Sequence, residues 1–195
     1  MIMDPLHCAY IHVPKTGGHS IDVLFSKLGV VTVKCWHATA ADTLRLIGSR
    51  DYFLFATVRN PWDRLVSEYV WQGSDSPDQI PTPWGNKTIS FEDFCRSDFS
   101  WYPEHERLNG HLSDQAHFIF DESDAPLVDE IVRFEALQAG FDNVCRRLGL
   151  PPTMLPRLNS TRHPPYWEYY SEELAETVAK RFERDIRLLG YRFGE

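Results

Sequence analysis

The sequence predicts an α/β domain, a three-layer parallel sheet with helices on both faces. Three observations carry that expectation. Residues 52–58 (YFLFATV) are apolar on nearly every position, the pattern of a strand buried on both faces, as in a parallel sheet. Two further strand-like runs, 7–13 and 127–134, flank it along the chain. Between these runs the apolar residues recur at helical spacing, and alternating strands and helices build a layered α/β domain. The chain has 195 residues, 43% hydrophobic and 25% charged. That is enough apolar material for a sizeable core, and it excludes disorder and collagen-like repeats. A single domain over residues 1–195 is the expectation at this length.

Each element has its own reason. The run 7–13 (HCAYIHV) ends at Pro14 and at Gly17–Gly18, and a helix follows with Ile21, Leu24, Phe25 and Leu28 on one face. Gly29 stops it. Val30, Val31 and Val33 make a second short β-branched run. Residues 40–47 have a helical pattern closed by Gly48. After the strand at 52–58, Asn60-Pro61 breaks the run, and Pro61 suits the first position of a helix reaching about Trp71. Residues 73–88 are rich in Gly, Ser, Asp and Pro and read as loop, and 90–96 as a short helix. A strand at 127–134 leads into a helix at about 137–148, which Gly149 and Pro151–Pro152 end. The last helix, about 171–189, places Leu174, Val178, Phe182, Ile186 and Leu189 on one stripe, with Gly190 after it.

Charge excludes some partners. With 20 basic and 28 acidic residues the net charge is −8, which disfavours a general affinity for nucleic acid or anionic membrane. The acid is unevenly spread: residues 73–130 hold 13 acidic and 3 basic residues. The four cysteines form no CxxC pair, so neither a zinc knuckle nor a redox motif is indicated, and reduced core thiols are expected. No apolar run approaches the roughly 20 residues that span a bilayer. The chain reads as soluble and cytoplasmic.

Two segments carry chemistry. PKTGGHS (14–20) follows the first strand and opens a helix. Glycines let the backbone approach an anion, the helix N-terminus supplies partial positive charge, and Lys15 supplies a full one. It is not a Walker A loop, because GxxxxGK[ST] is absent and the lysine precedes the glycines. RNPWDRLVS (59–67) follows the apolar strand, with Ser67 about two helical turns beyond Arg59. Ligands of open parallel sheets bind outside the carboxyl ends of strands, so both segments are expected at one rim. A phosphate turn with an Arg/Ser pair suits a ligand carrying two separated anionic groups.

PKTGGHS followed by RNPxxRxxS resembles the two nucleotide motifs of sulfotransferases that use 3′-phosphoadenosine 5′-phosphosulfate. The branch it is most similar to contains heparan sulfate 2-O-sulfotransferase and its bacterial relatives. The resemblance extends to IVRFEAL (131–137) and FERDIRLLGYRF (182–193), and it implies a P-loop-like nucleotide-binding sulfotransferase fold. By position, Lys15, Thr16, Gly17, Gly18, His19 and Ser20 would line the 5′-phosphosulfate, and Arg59 and Ser67 would hold the 3′-phosphate. His19 replaces a usual hydroxyl residue, but its backbone N–H can still serve. The family closes a late loop over the nucleotide. NSTRH (159–163) is the candidate here, with Thr161 and Arg162 as the contacts.

His37, in CWHATAAD, stands 22 residues before Arg59, the offset at which the resemblance places a catalytic histidine. Those enzymes carry a second histidine two residues earlier, where this chain has Cys35. A structural role for His37 at the helix entry near Thr39 is the alternative. The expected reaction moves a sulfuryl group in line onto a hydroxyl acceptor. His37 acts as general base, Lys15 as electrophilic partner, and adenosine 3′,5′-bisphosphate leaves as product. No metal is expected. The acceptor is expected to be a carbohydrate, neutral or cationic in view of the acidic stretch 73–130, which falls where an acceptor-side region belongs. Neither nucleic acid nor membrane is an expected partner. A small-molecule kinase and a non-catalytic nucleotide-binding module are the competing readings. The absent Walker lysine, and the lack of an aspartate after a strand to hold magnesium, count against the kinase.

Overall fold

The computed structural model describes residues 1–35, 37–72, 89–99, 110–158 and 164–195. They group into two compact units, Met1–Arg59 with Gln115–Ser160, and Asn60–Asp114 with Thr161–Glu195. The strands are β1 (Ile2–Met3), β2 (Cys8–Ile11), β3 (Phe53–Val58) and β4 (Glu130–Arg133). The helices are α1 (Gly18–Lys27), α2 (Ala40–Ile47), α3 (Pro61–Gln72), α4 (Phe91–Arg96), α5 (Ala116–Ile119), α6 (Leu137–Arg147), α7 (Glu172–Arg181) and α8 (Glu183–Leu189).

The first unit is an α/β sheet in the order β1-β2-β3-β4. β1 pairs antiparallel with β2, while β2, β3 and β4 are parallel, with Tyr10 opposite Phe55 and Ala56 opposite Ile131. The apolar run 52–58 is therefore an inner strand, which is why it has no polar face. Alternation along the strands sends Tyr10 and Phe55 to one face. There they meet Ile21 and Phe25 of α1 and Phe141, Val144 and Cys145 of α6. Phe25, Phe55 and Phe141 are fully buried, and each such ring contributes about 1.5–3 kcal/mol. Ala9, Ile11, Leu54 and Ala56 point to the other face and are buried as well. α2 packs on β2 and on α5 there, so helices cover both faces as expected.

One expectation about this unit changes. Val30–Val33 is not a strand, because β1 already occupies the edge beside β2. Val33 makes only an isolated bridge to Ile2, whose N–H donates to Val33 O at 2.8 Å. Residues 116–119 form the short helix α5, with Gln115 immediately before it.

In the second unit Asn60 caps α3: its Oδ1 accepts from Trp62 N at 3.1 Å, and its carbonyl accepts from Arg64 N at 2.8 Å. Ser90 and Ser171 cap α4 and α7 through their side-chain oxygens. The long C-terminal helix divides at Phe182, whose φ of −108° and ψ of 32° leave helical geometry. The apolar stripe continues from Val178 through Phe182 to Leu189, so the periodicity alone does not reveal the break. Trp62 is a packing residue, buried, with its indole N–H on Ala175 O at 2.9 Å. Arg181 donates to Cys95 O at 2.8 Å and Ser97 O at 2.6 Å and covers the Phe99 ring at 4.5 Å.

Candidate functional site

The turn after β2 is built by exclusion of side chains. Lys15 has φ 65° and Gly17 φ 80°, so the chain passes twice through the left-handed region before α1 begins. Glycine takes that conformation without penalty, whereas lysine there stores strain, a feature that concentrates at functional sites. A Cβ on Gly18 would stand 2.4 Å from the His12 ring and from the Tyr10 hydroxyl. A Cβ on Gly17 would stand 3.0 Å from Leu137 and Phe134 side chains. The paired glycines thus allow α1 to start directly on the end of β2.

Thr16 is fully buried and turned inward. Its hydroxyl donates to Val13 O at 2.7 Å and lies 2.6 Å from the Thr57 hydroxyl, which is itself 2.6 Å from the Tyr10 hydroxyl. One hydroxyl carries one proton. Because Thr16 spends its proton on Val13, Thr57 must donate to Thr16, and Tyr10 to Thr57. Burial pushes the Tyr10 phenol above its ordinary range, so it stays protonated and heads this chain. The Thr16 side chain is therefore committed to β3 and to the Val13 carbonyl. Ser20 is buried, His19 exposed and Lys15 half-buried.

Arg59 follows β3 and is buried, with 8% of its surface exposed. Its guanidinium donates to Lys15 O at 3.3 Å and lies 4.2 Å from the Phe134 ring centroid. The two motifs expected at one rim thus meet through Arg59 and Lys15. Its backbone is held by Gln115, which is fully buried: Arg59 N donates to Gln115 Oε1 at 2.8 Å, and Gln115 Nε2 donates to Arg59 O at 2.8 Å. Ser67 lies in α3 of the second unit and is half-buried. Another motif residue, Arg64, is 2% exposed; it donates to His111 O at 3.1 Å and to Ser113 O, with Phe182 under its guanidinium at 5.5 Å. Arg64 is a clamp on the 111–113 backbone. Thr161 and Arg162 lie outside the described residues, as do residues 73–88 and 100–109 of the acidic stretch.

His37 also has a positive φ, 53°. Its Nδ1 lies 3.0 Å from His12 O. A carbonyl only accepts, so in the neutral ring Nδ1 carries the hydrogen and Nε2 holds the lone pair. His12 is a residue that sequence reasoning passed over. Its ring is edge-on to His37 with centroids 4.9 Å apart, stacks on Tyr10 at 5.7 Å, and places Nδ1 2.9 Å from Asp22 Oδ2. Neither atom of that pair is in hydrogen-bond alignment, so the contact is one of proximity. Strand alternation puts Tyr10 and His12 on one face, the face that Gly18 leaves open; that was the available signal.

The ensemble joins a glycine turn at a helix N-terminus, a lysine, a buried arginine and an imidazole of defined tautomer. Backbone N–H groups and two cations suit phosphate-type oxygens, and the imidazole suits proton abstraction from a hydroxyl. Among the described residues no helix is long and apolar enough to cross a membrane. No curated protein and no solved structure matches the chain. A family model described as the sulfotransferase family matches residues 1–192, nearly the whole length, and with the turn, Arg59 and the parallel sheet in place the chain belongs to the sulfotransferase family.

Proposed function

We propose that this protein transfers a sulfuryl group from 3′-phosphoadenosine 5′-phosphosulfate to a hydroxyl acceptor, with His37 as general base and adenosine 3′,5′-bisphosphate as product. The observation that carries it is the His37 ring, held by its Nδ1 on His12 O beside the glycine turn. The donor, when bound, supplies the activated sulfuryl group. Lys15 and the N–H groups of Thr16, Gly17, Gly18, His19 and Ser20 hold its phosphosulfate end. Arg59, Ser67, Thr161 and Arg162 hold the rest of the nucleotide, as the resemblance to the family motifs implies. His37 Nε2 takes the acceptor proton, and its Nδ1–H keeps the bond to His12 O. Lys15 and the turn N–H groups offset charge on the departing phosphate oxygen. Residues 1–195 act as one sulfotransferase domain, in the branch similar to heparan sulfate 2-O-sulfotransferase; the offset of 22 residues between His37 and Arg59 supports that branch.

His37→Ala is expected to lower turnover by about 10²–10⁴-fold while affinity for adenosine 3′,5′-bisphosphate, read by calorimetric titration, stays within twofold. Turnover near normal overturns the assignment. In the same titration ATP is expected to bind more weakly than the bisphosphate; the reverse order favours a kinase.

The acceptor in this reading is a carbohydrate hydroxyl on a neutral or cationic glycan or small molecule, because residues 73–130 hold 13 acidic and 3 basic residues. Competition between an unsulfated and a highly sulfated glycan for labelled sulfate tests it, and preference for the sulfated chain refutes it. A cytoplasmic setting accords with the free cysteines, of which Cys8, Cys95 and Cys145 are buried.

A further inference from the structure

We infer that Asp22 and His12 are positioning residues for His37, a carboxylate–imidazole pair that holds the base and offsets the charge it gains. The inference rests on the reading of His37 as general base. His12 acts on His37 twice: its carbonyl oxygen accepts from Nδ1 at 3.0 Å, and its ring meets the His37 ring edge-on at 4.9 Å. That grip requires His12 itself to be immobile, and three neighbours make it so. Tyr10 stacks on the ring at 5.7 Å, Gly18 lets α1 close against it where any Cβ would collide at 2.4 Å, and Asp22 of α1 brings Oδ2 to 2.9 Å from Nδ1. The His12 and Asp22 side chains are only 11% and 14% exposed, so water screens the pair little.

During transfer the acceptor O–H bond breaks and a His37 Nε2–H bond forms. The Nδ1–H stays where it is, and no proton passes to His12. His37 becomes an imidazolium, its bond to the His12 carbonyl becomes charge-assisted and stronger, and the Asp22 carboxylate one ring away balances the new charge. Lys15 and Arg59 supply positive charge to the same rim. A base that must become cationic there gains from a fixed anion on its far side. Asp22 touches neither donor nor acceptor in this scheme, so its effect falls on the chemical step and leaves nucleotide binding alone.

Asp22→Asn keeps the shape and removes the charge. In the full chain, kcat is expected to fall about 10–100-fold, the scale typical of lost outer-shell partners, with donor KM and bisphosphate affinity within twofold. Asp22→Glu, which keeps a carboxylate, is expected to recover part of the turnover, and it decides by the same kcat-against-KM split if the Asn variant does not fold. In a His37→Ala background, Asp22→Asn is expected to cost nothing further, because residues acting through one group are non-additive. Normal kcat in Asp22→Asn, with His37→Ala impaired, overturns this inference and leaves the base standing. Equal losses in kcat and donor affinity, or full additivity with His37→Ala, also overturn it, since they mark a purely structural role. Normal turnover in His37→Ala removes the base and this inference with it.

Discussion

Gln115 has no charge and no motif around it, yet it does for Arg59 what a neighbouring strand would do. The N–H and C=O of one extended residue point to the same side, and a primary amide presents a donor and an acceptor in matching array. Arg59 lies one residue beyond Val58, the last residue of β3 paired with β4. The Gln115 amide closes both bonds at 2.8 Å. Gln115→Met keeps the bulk and removes both bonds, and lost buried hydrogen bonds cost about 1–3 kcal/mol. Affinity for adenosine 3′,5′-bisphosphate is expected to drop about tenfold or more by calorimetric titration, with kcat at saturating donor changed less than threefold. Affinity equal to wild type would show that Arg59 does not depend on this clamp. Lys15, Arg59 and His37 are legible in the sequence because charge, glycines and chain offset mark them. Gln115 and His12 are not, because their meaning lies in partners 56 and 25 residues away, and an isolated Gln or His carries no local trace of such a contact.

Among elements, the central strand and the capped helices are the legible part. YFLFATV reads as a doubly buried strand because helices do cover both faces, and α2 runs between a Thr39 cap and Gly48 as its residues dictate. The misreadings share a physical origin. β1 is two residues long, too short to show a period, and by taking the sheet edge it displaces Val30–Val33. The divide between α7 and α8 leaves the apolar stripe intact, so no spacing reports it. Helix–sheet closeness is similarly silent until the structure is seen, and Gly140 of α6 is the case in point. In a solvated helix, Gly→Ala gains about 1 kcal/mol. Here the added methyl would stand 2.6 Å from Val132 Cγ1 of β4, and overpacking of this kind costs about 1–3 kcal/mol. Gly140→Ala is therefore expected to destabilise the protein in urea unfolding. Val132→Ala, destabilising alone, is expected to recover part of the loss when combined with it. A double-mutant cycle with no coupling would mean that the helix does not need the glycine to approach β4.

For the whole molecule, the acidic composition hides how its stability should respond to pH. The net −8 is set by charges that are mostly solvated, and solvated charges move stability little. The groups that govern the alkaline limb are buried thiols and phenols, and they occur in both compact units. Burial pushes the Cys8 thiol up to about 12 in the first unit. Burial also pushes Cys95 up to about 12 in the second, outweighing the opposing pull of Arg181. Tyr10 and Tyr170 are raised as well, each chiefly by burial. Unfolding exposes these groups to water, where a thiol titrates near ~8.5 and a phenol near ~10. Above those values the unfolded chain has released protons that the folded chain still holds. The unfolded state then binds fewer protons, and stability falls as pH rises. Each thiol contributes a slope of about 1.4 kcal/mol per pH unit between its unfolded and folded values. Thermal melting is expected to decline steeply from its plateau near pH 8 to about pH 10, before the buried groups ionise in the folded protein. Cys8→Ala and Cys95→Ala should each flatten the decline while lowering the plateau, since each removes a titrating group along with a packed side chain. A melting temperature that holds constant through pH 10.5, about two units above the free thiol, would mean that these thiols are not held neutral by burial.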